Sequence, residues 1–365
     1  MLSRDNCRCS TCVNQDTRQR NFDTFKLPDN IKPCRVTADE SGVEIQWSHD
    51  SHVSFYRWDF LKVYIKGERP EPEDVQLEYF GAEGAANSNI EYGEFEKNET
   101  HAVGRLTDTI RRKGFAFVTG VPTDSANTTK ELLEKIAFIR KTHYGGFYVF
   151  TPDLALKDTA YTNEALAVHT DNTYFGDPSG LQSFHLLSHT DPNAQGGSGT
   201  SLGGQSTLVD GFRAARILRD ESPESFKTLA DFKLPFHASG NEGITISPDK
   251  LYPVLECDSD QNTVRRVRWN ESDRAVNPLR DGTMEWYQAA KKWNEILQRE
   301  ELVYRFQLEP GKVLIFDNWR ALHGREAFTG LRKICGGYIN RDDWYSRWRN
   351  TNYPKSEVFR QVIGE

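Results

Sequence analysis

The sequence contains no uninterrupted apolar stretch near the roughly 18 residues that a bilayer-spanning helix requires. Met1 leads directly into Arg4 and Asp5, without the apolar core of a secretory signal. A membrane-embedded or exported protein is not expected. A basic surplus is also missing: 46 Lys and Arg stand against 53 Asp and Glu, a net charge of −7. Nothing overall draws the chain to nucleic-acid phosphates or to an anionic membrane surface, so neither is an expected partner. Cysteine is sparse and unevenly placed. Of the six, Cys7, Cys9, Cys12 and Cys34 crowd the start while Cys257 and Cys335 stand alone; a disulfide scaffold needs a denser and more even supply. A reducing compartment is the expectation. With the cysteine cluster beginning at position 7, no room is left for an Arg-rich transit segment, which favours the cytosol over mitochondria. No internal repeat is present.

What remains is enough for a sizeable core. The 365 residues are 37% apolar, or about 44% with the 27 glycines included, close to the globular average; the length allows two domains. Apolar content drops over 71–100, where a Gly/Ala/Asn stretch runs into an acidic one, and this composition predicts a connection between a small domain at 1–85 and a larger one at 100–365. In the small domain 43–47 alternates like a strand and 58–65 is a second apolar block, too little core to stand without a staple. In the large one, Val103, Leu106 and Ile110 predict a helix over 101–113, stopped by Gly114 before a strand at 115–119. Thr128 and Glu131 form a candidate capping box for a helix bearing Leu132, Ile136 and Ile139. Short strands follow at 181–187, 206–209, 264–269, 303–308, 313–316 and 333–339, the pattern of a sandwich or barrel. A helix with Trp286, Ala289, Trp293 and Ile296 on one stripe is placed outside the sheets, and 191–205, rich in glycine, reads as a flexible loop.

The chemistry concentrates in His169-Thr170-Asp171 and a distant His323. Residues two apart on an extended strand share a face, so His169 and Asp171 can converge on one ion; a second imidazole completes the 2-His-1-carboxylate set of non-haem Fe(II) oxygenases, with open positions for chemistry. Arg332, in a strand-like stretch soon after His323, offers a fixed fork for the far carboxylate of a dicarboxylate whose near end chelates iron, which describes 2-oxoglutarate. Thr207 could donate a hydroxyl to the same group. Near the start, Cys7-x-Cys9-x-x-Cys12 with a later ligand can close a tetrahedral Zn(II) site without a vacancy, a structural role; His52, His49 and Cys34 are the candidates for the fourth position. His185 and His189 read as packing or backbone-bonding residues, and Cys257 and Cys335 as buried fillers.

Together these motifs carry a family resemblance. Asp158-Thr159-Ala160-Tyr161, the run from His169 to Phe175, Val209-Asp210-Gly211-Phe212, the run from Asp317 to Arg325, and Arg341-Asp342-Asp343 fall in order along nearly the whole chain. The sequence resembles the family of trimethyllysine and gamma-butyrobetaine dioxygenases. The resemblance implies a mainly β fold with flanking helices: a double-stranded β-helix (jelly-roll) catalytic domain plus a small N-terminal zinc-binding domain. It implies Fe(II) on His169, Asp171 and His323, 2-oxoglutarate on Arg332 and Thr207, O2 as co-substrate, ascorbate as reductant, and a homodimer. It favours His52 as the fourth zinc ligand. A trimethylammonium group cannot donate a hydrogen bond and is recognised by aromatic faces; the resemblance places Tyr144, Tyr148, Tyr161 and Tyr338 at cage positions, Tyr148 standing where tryptophan is expected. Asp158 would pair with an α-ammonium, favouring trimethyllysine over gamma-butyrobetaine, and Asn270 would meet the substrate carboxylate. The implied activity is hydroxylation of trimethyllysine at C3, giving 3-hydroxy-trimethyllysine, succinate and CO2, the first step of carnitine biosynthesis. Gamma-butyrobetaine hydroxylation is the alternative within the class; a zinc-dependent hydrolase on the same ligands and a non-catalytic methyl-lysine binding module are alternatives outside it.

Overall fold

The N-terminal strands form an antiparallel meander. In the computed structural model, which describes residues 2–49, 51–65, 75–151, 162–191, 202–258 and 263–364, β1 (Pro33–Ala38), β2 (Gly42–Trp47) and β3 (Val53–Arg57) pair in that order. β1 is exposed throughout, whereas β3 turns Ser54 and Tyr56 inward. The second apolar block is a helix, Trp58–Tyr64. The buried core here is small, Leu27, Ile31, Trp47 and Tyr56 in one cluster and Cys7, Cys12 and Val13 in another, with the Trp47 indole donating to Ser54 Oγ at 2.9 Å.

The chain divides into Met1–Val75 with Tyr353–Glu365, and Gln76–Asn352. The boundary at 75/76 falls inside the predicted connection over 71–100, near its start, and ahead of residue 85, where the small domain was expected to end. Low average hydrophobicity over 71–100 concealed single large anchors: Phe80, Ile90 and Phe95 are each 3% exposed or less, and Ile90 sits on a strand. At the other end, Pro354 separates the helix Arg341–Asn352 from the helix Lys355–Ile363, so 353–365 leave the larger unit and join the smaller, where Phe359 lies under the Arg18 guanidinium at 4.9 Å.

The strands of the larger unit are β4 (Asn89–Glu91), β5 (Phe115–Thr119), β6 (Tyr148–Phe150), β7 (Leu166–His169), β8 (Leu181–Thr190), β9 (Ser206–Asp210), β10 (Leu255–Cys257), β11 (Val264–Val267), β12 (Tyr304–Phe306), β13 (Lys312–Asp317), β14 (Ala321–Arg325), β15 (Leu331–Gly336) and β16 (Tyr338–Ile339). A seven-stranded sheet runs β4-β5-β13-β8-β15-β6 with β16 beside β8, and a four-stranded one runs β12-β9-β14-β7. The two face each other: Phe117, Leu186, Leu314 and Ile334 from the first share one core with Leu208, Phe306 and Ala321 from the second. Strand alternation sends Val209 and Leu322 to the opposite side of the smaller sheet, into a second core with Leu218, Phe226, Trp286 and Trp293 from flanking helices. The expected tryptophan-striped helix is Thr283–Leu297, on that outer side.

Local departures have local causes. The helix Glu99–Lys113 begins at an Asn98 cap and ends at Gly114, whose φ of 85° only glycine adopts cheaply. The helix Ala126–Ile136 is capped by Ser125, which accepts from the Asn127 amide, rather than by Thr128. It stops before Ile139, which bridges to Ile339 instead. The block 303–308 is strand only over β12, and 333–339 is broken into β15 and β16. Most of the glycine-rich loop, 192–201, lies outside the described residues.

Candidate active site

His169 ends β7 and His323 lies mid-strand in β14, and these residues are register partners. Their rings stand 4.3 Å apart between centroids. His323 points into the inter-sheet core, against Phe316 at 4.9 Å and Phe184 at 5.5 Å. Asp171 arrives differently from the strand argument. β7 stops at His169, and Asp171 lies in the following turn, where Asn172 takes a left-handed φ of 60°. Asn318 fixes that turn: its Oδ1 accepts from Asp171 N at 2.8 Å and its Nδ2 donates to Asp171 O at 3.0 Å. The result brings Asp171 Oδ1 within 3.2 Å of His169 Nε2 and 3.8 Å of His323 Nε2.

Hydrogen bonds orient His169 and Asp171, and the packing of its ring against Phe316 and Phe184 positions His323. His169 Nδ1 donates to Ala167 O at 2.8 Å, which leaves Nε2 facing the centre. Asp171 Oδ2, the oxygen turned away from the imidazoles, accepts from Tyr338 Oη at 2.6 Å and Gln182 Nε2 at 2.8 Å. Burial works against the Asp171 charge, but the His169 hydrogen bond and both imidazoles outweigh it and hold the carboxyl far below its ordinary range. Burial first, then His169, pushes His323 down to about 3 despite Asp171, so this ring is neutral and able to ligate.

The trio opens into a cavity of about 450 Å³. Arg332, on β15, lines it while only 4% exposed. Its Nε makes no hydrogen bond, and no carboxylate pairs with it among the described residues. Burial, and after it neighbouring Arg325, lower it to about 10. A buried guanidinium left so is costly unless an anion completes it. Thr207, on β9, lines the same cavity, and Gly324 leaves it room: a Cβ there would stand 2.8 Å from Thr207 Oγ1. The donor set suits a divalent metal, and the unanswered arginine suits a dicarboxylate.

Tyr144, Tyr148 and Tyr338 line the cavity together with Asn270. The rings of Tyr148 and Tyr338 meet edge to face at 5.8 Å, and Tyr148 Oη is anchored on Ser183 O at 2.8 Å. Asp158 and Tyr161 lie outside the described residues. Sequence reasoning missed several lining residues. Tyr174, whose hydroxyl approaches that of Tyr144 at 3.5 Å, stood within the motif run after His169. Arg325 likewise closed the motif run from Asp317. Asp273 and Gln182 carried no local signal, because they reach the site only through a long loop or sheet pairing.

In the smaller unit Cys7, Cys9, Cys12 and His52 converge. Their sulfurs stand 3.3, 3.7 and 3.4 Å from His52 Nε2. Tetrahedral zinc bonds of roughly 2.3 Å to sulfur and 2.0 Å to nitrogen imply an edge of about 3.5 Å, so the four atoms fit that ion. His49 is not among the converging residues, and Cys34 is exposed; all six cysteines are free thiols.

The class defined by the paired sheets and the His-Asp-His cluster is a dioxygenase: residues 71–338 match the family model described as "Taurine catabolism dioxygenase TauD, TfdA family". Residues 2–62 match "Gamma-butyrobetaine hydroxylase-like, N-terminal". The chain is 52% identical to "Trimethyllysine dioxygenase" of Neurospora crassa, covering 99% of this chain and 82% of that one. It is 39% identical to the protein of the same name from Meyerozyma guilliermondii, over 98% and 91%, and 37% identical to "Trimethyllysine dioxygenase, mitochondrial" of Homo sapiens, over 93% and 79%. Within the dioxygenase class, the chain belongs to the trimethyllysine dioxygenase family, as its motifs suggested. Among the described residues no helix is long and apolar enough to cross a membrane.

Proposed function

We propose that this enzyme hydroxylates N6,N6,N6-trimethyllysine at C3, consuming 2-oxoglutarate and O2 and releasing succinate and CO2. The observation that carries the reading is Arg332: a buried cation that no carboxylate among the described residues answers, in the same cavity as two imidazoles, a carboxylate and a wall of tyrosines. His169, Asp171 and His323 would hold Fe(II), which with 2-oxoglutarate supplies the oxidising chemistry. Arg332 would bind the far carboxylate of 2-oxoglutarate and Thr207 would donate to it. Tyr144, Tyr148 and Tyr338 present π faces to the trimethylammonium group, with Tyr161 as a further wall, and Asn270 faces the amino-acid end. Holding the chain at both ends makes attack at one carbon a matter of position. Ascorbate as reductant, zinc on the cysteine cluster, and the jelly-roll reading of the facing sheets belong to the same proposal.

Product analysis by mass spectrometry tests it. Incubation with iron, 2-oxoglutarate and trimethyllysine is expected to add one oxygen to the substrate, and His169→Ala to abolish this. Gamma-butyrobetaine run in parallel separates the alternative, and its faster conversion would contradict the substrate assignment.

A further inference from the structure

We propose that Asp273 is a second acid for the α-ammonium of trimethyllysine, beside the role expected of Asp158, and thereby contributes to the choice between amino-acid and simple betaine substrates. The inference rests on the activity proposed above. In trimethyllysine C3 is bonded directly to C2, and C2 carries both the ammonium and the carboxylate. With C3 presented to the metal-binding side chains, the partner for the ammonium has to lie beside the turn that holds them. It also has to neighbour a donor for the carboxylate.

Asp273 meets both conditions. It lines the cavity, half-buried. Its Oδ2 accepts from Thr173 Oγ1 at 2.9 Å, and Thr173 belongs to the turn that carries Asp171. The same oxygen accepts from Asn270 Nδ2 at 2.9 Å, while Asn270 Oδ1 takes the Ser272 amide at 3.0 Å. An acid and an amide donor therefore stand side by side, as a zwitterionic carbon demands. The segment is held from behind, since His237 N donates to Asp273 O at 2.9 Å. Glu271, the other acid on this loop, is committed to Arg274 at 2.6 Å. Gamma-butyrobetaine would bring a carboxylate, in place of an ammonium, close to the Asp273 charge, so the residue also acts against the wrong substrate.

The test is the ratio of kcat/KM for trimethyllysine to that for 6-(trimethylammonio)hexanoate, the same chain without the α-amino group. Loss of a charge-assisted hydrogen bond predicts that Asp273→Asn lowers this ratio by at least about tenfold. Thr173→Val, which removes the brace but keeps the charge, is expected to leave the ratio within about twofold of the unsubstituted enzyme. A smaller fall in Asp273→Asn, or an equal fall in Thr173→Val, overturns the assignment. Absence of trimethyllysine turnover in the unsubstituted enzyme overturns it together with the activity on which it rests.

Discussion

Arg332 brings a charge into the interior that no described acid answers, and its replacement should read out on one substrate alone. Arg332→Ala is expected to raise KM for 2-oxoglutarate by more than about thirtyfold, the scale of truncating one partner of a buried charge pair, while KM for trimethyllysine moves by less than about threefold; steady-state kinetics with each substrate varied checks this. Tyr338 has two tasks, since its ring lines the cavity and its hydroxyl donates to Asp171. Tyr338→Phe separates them. Cation–π attraction survives, so trimethyllysine affinity should hold, whereas metal affinity of the apoprotein is expected to fall about tenfold or more for want of the outer hydrogen bond, measured by calorimetric titration. The identities of His169, Asp171, His323 and Arg332 were legible because residue type alone limits what such side chains can do together. The reason for their convergence was less so. Strand alternation was the expected cause, yet the turn at Asn172 and the Asn318 clamp place Asp171, and neither leaves a spacing rule in the sequence.

At the scale of elements, His185 ties three pieces of backbone together. Gly311 N donates to its Nε2 at 3.2 Å, which puts the ring proton on Nδ1, toward Thr129 Oγ1 at 2.6 Å. Burial lowers the imidazole to about 4 from an ordinary 6.5. The unfolded chain therefore binds this proton first, and the stability that neutral His185 contributes is complete above pH 6.5 and lost as pH falls toward 4. Between those limits the unsubstituted protein should lose up to about 3 kcal/mol more than His185→Gln, seen in paired urea unfolding curves. The cysteine cluster makes a second prediction at this scale. The small buried core around Trp47 is too slight to hold the meander alone; with zinc on the cysteine cluster as proposed, Cys12→Ser is expected to abolish zinc binding and to expose 1–75 to limited proteolysis. Here the sequence was informative where three thiols in one short run had no packing explanation, and misleading where averages hid anchors: Phe80, Ile90 and Phe95 turned an expected linker into ordered structure.

The whole molecule joins a metal-poised cavity between two sheets to a separately cored N-terminal unit, and the chain visits the smaller unit at both ends. That return was not legible, because Pro354 marks a break without saying where the following helix goes. The central claim is that one cavity couples 2-oxoglutarate to a trimethylated substrate through His169, Asp171, His323 and Arg332. The most direct measurement counts succinate and hydroxylated product together in the iron-loaded protein, with trimethyllysine present and absent, and again in Asp171→Ala. The account predicts equimolar formation of the two, little succinate without trimethyllysine, and neither product in the variant. Trimethyllysine oxidised with no loss of 2-oxoglutarate, or turnover persisting in Asp171→Ala, would contradict it.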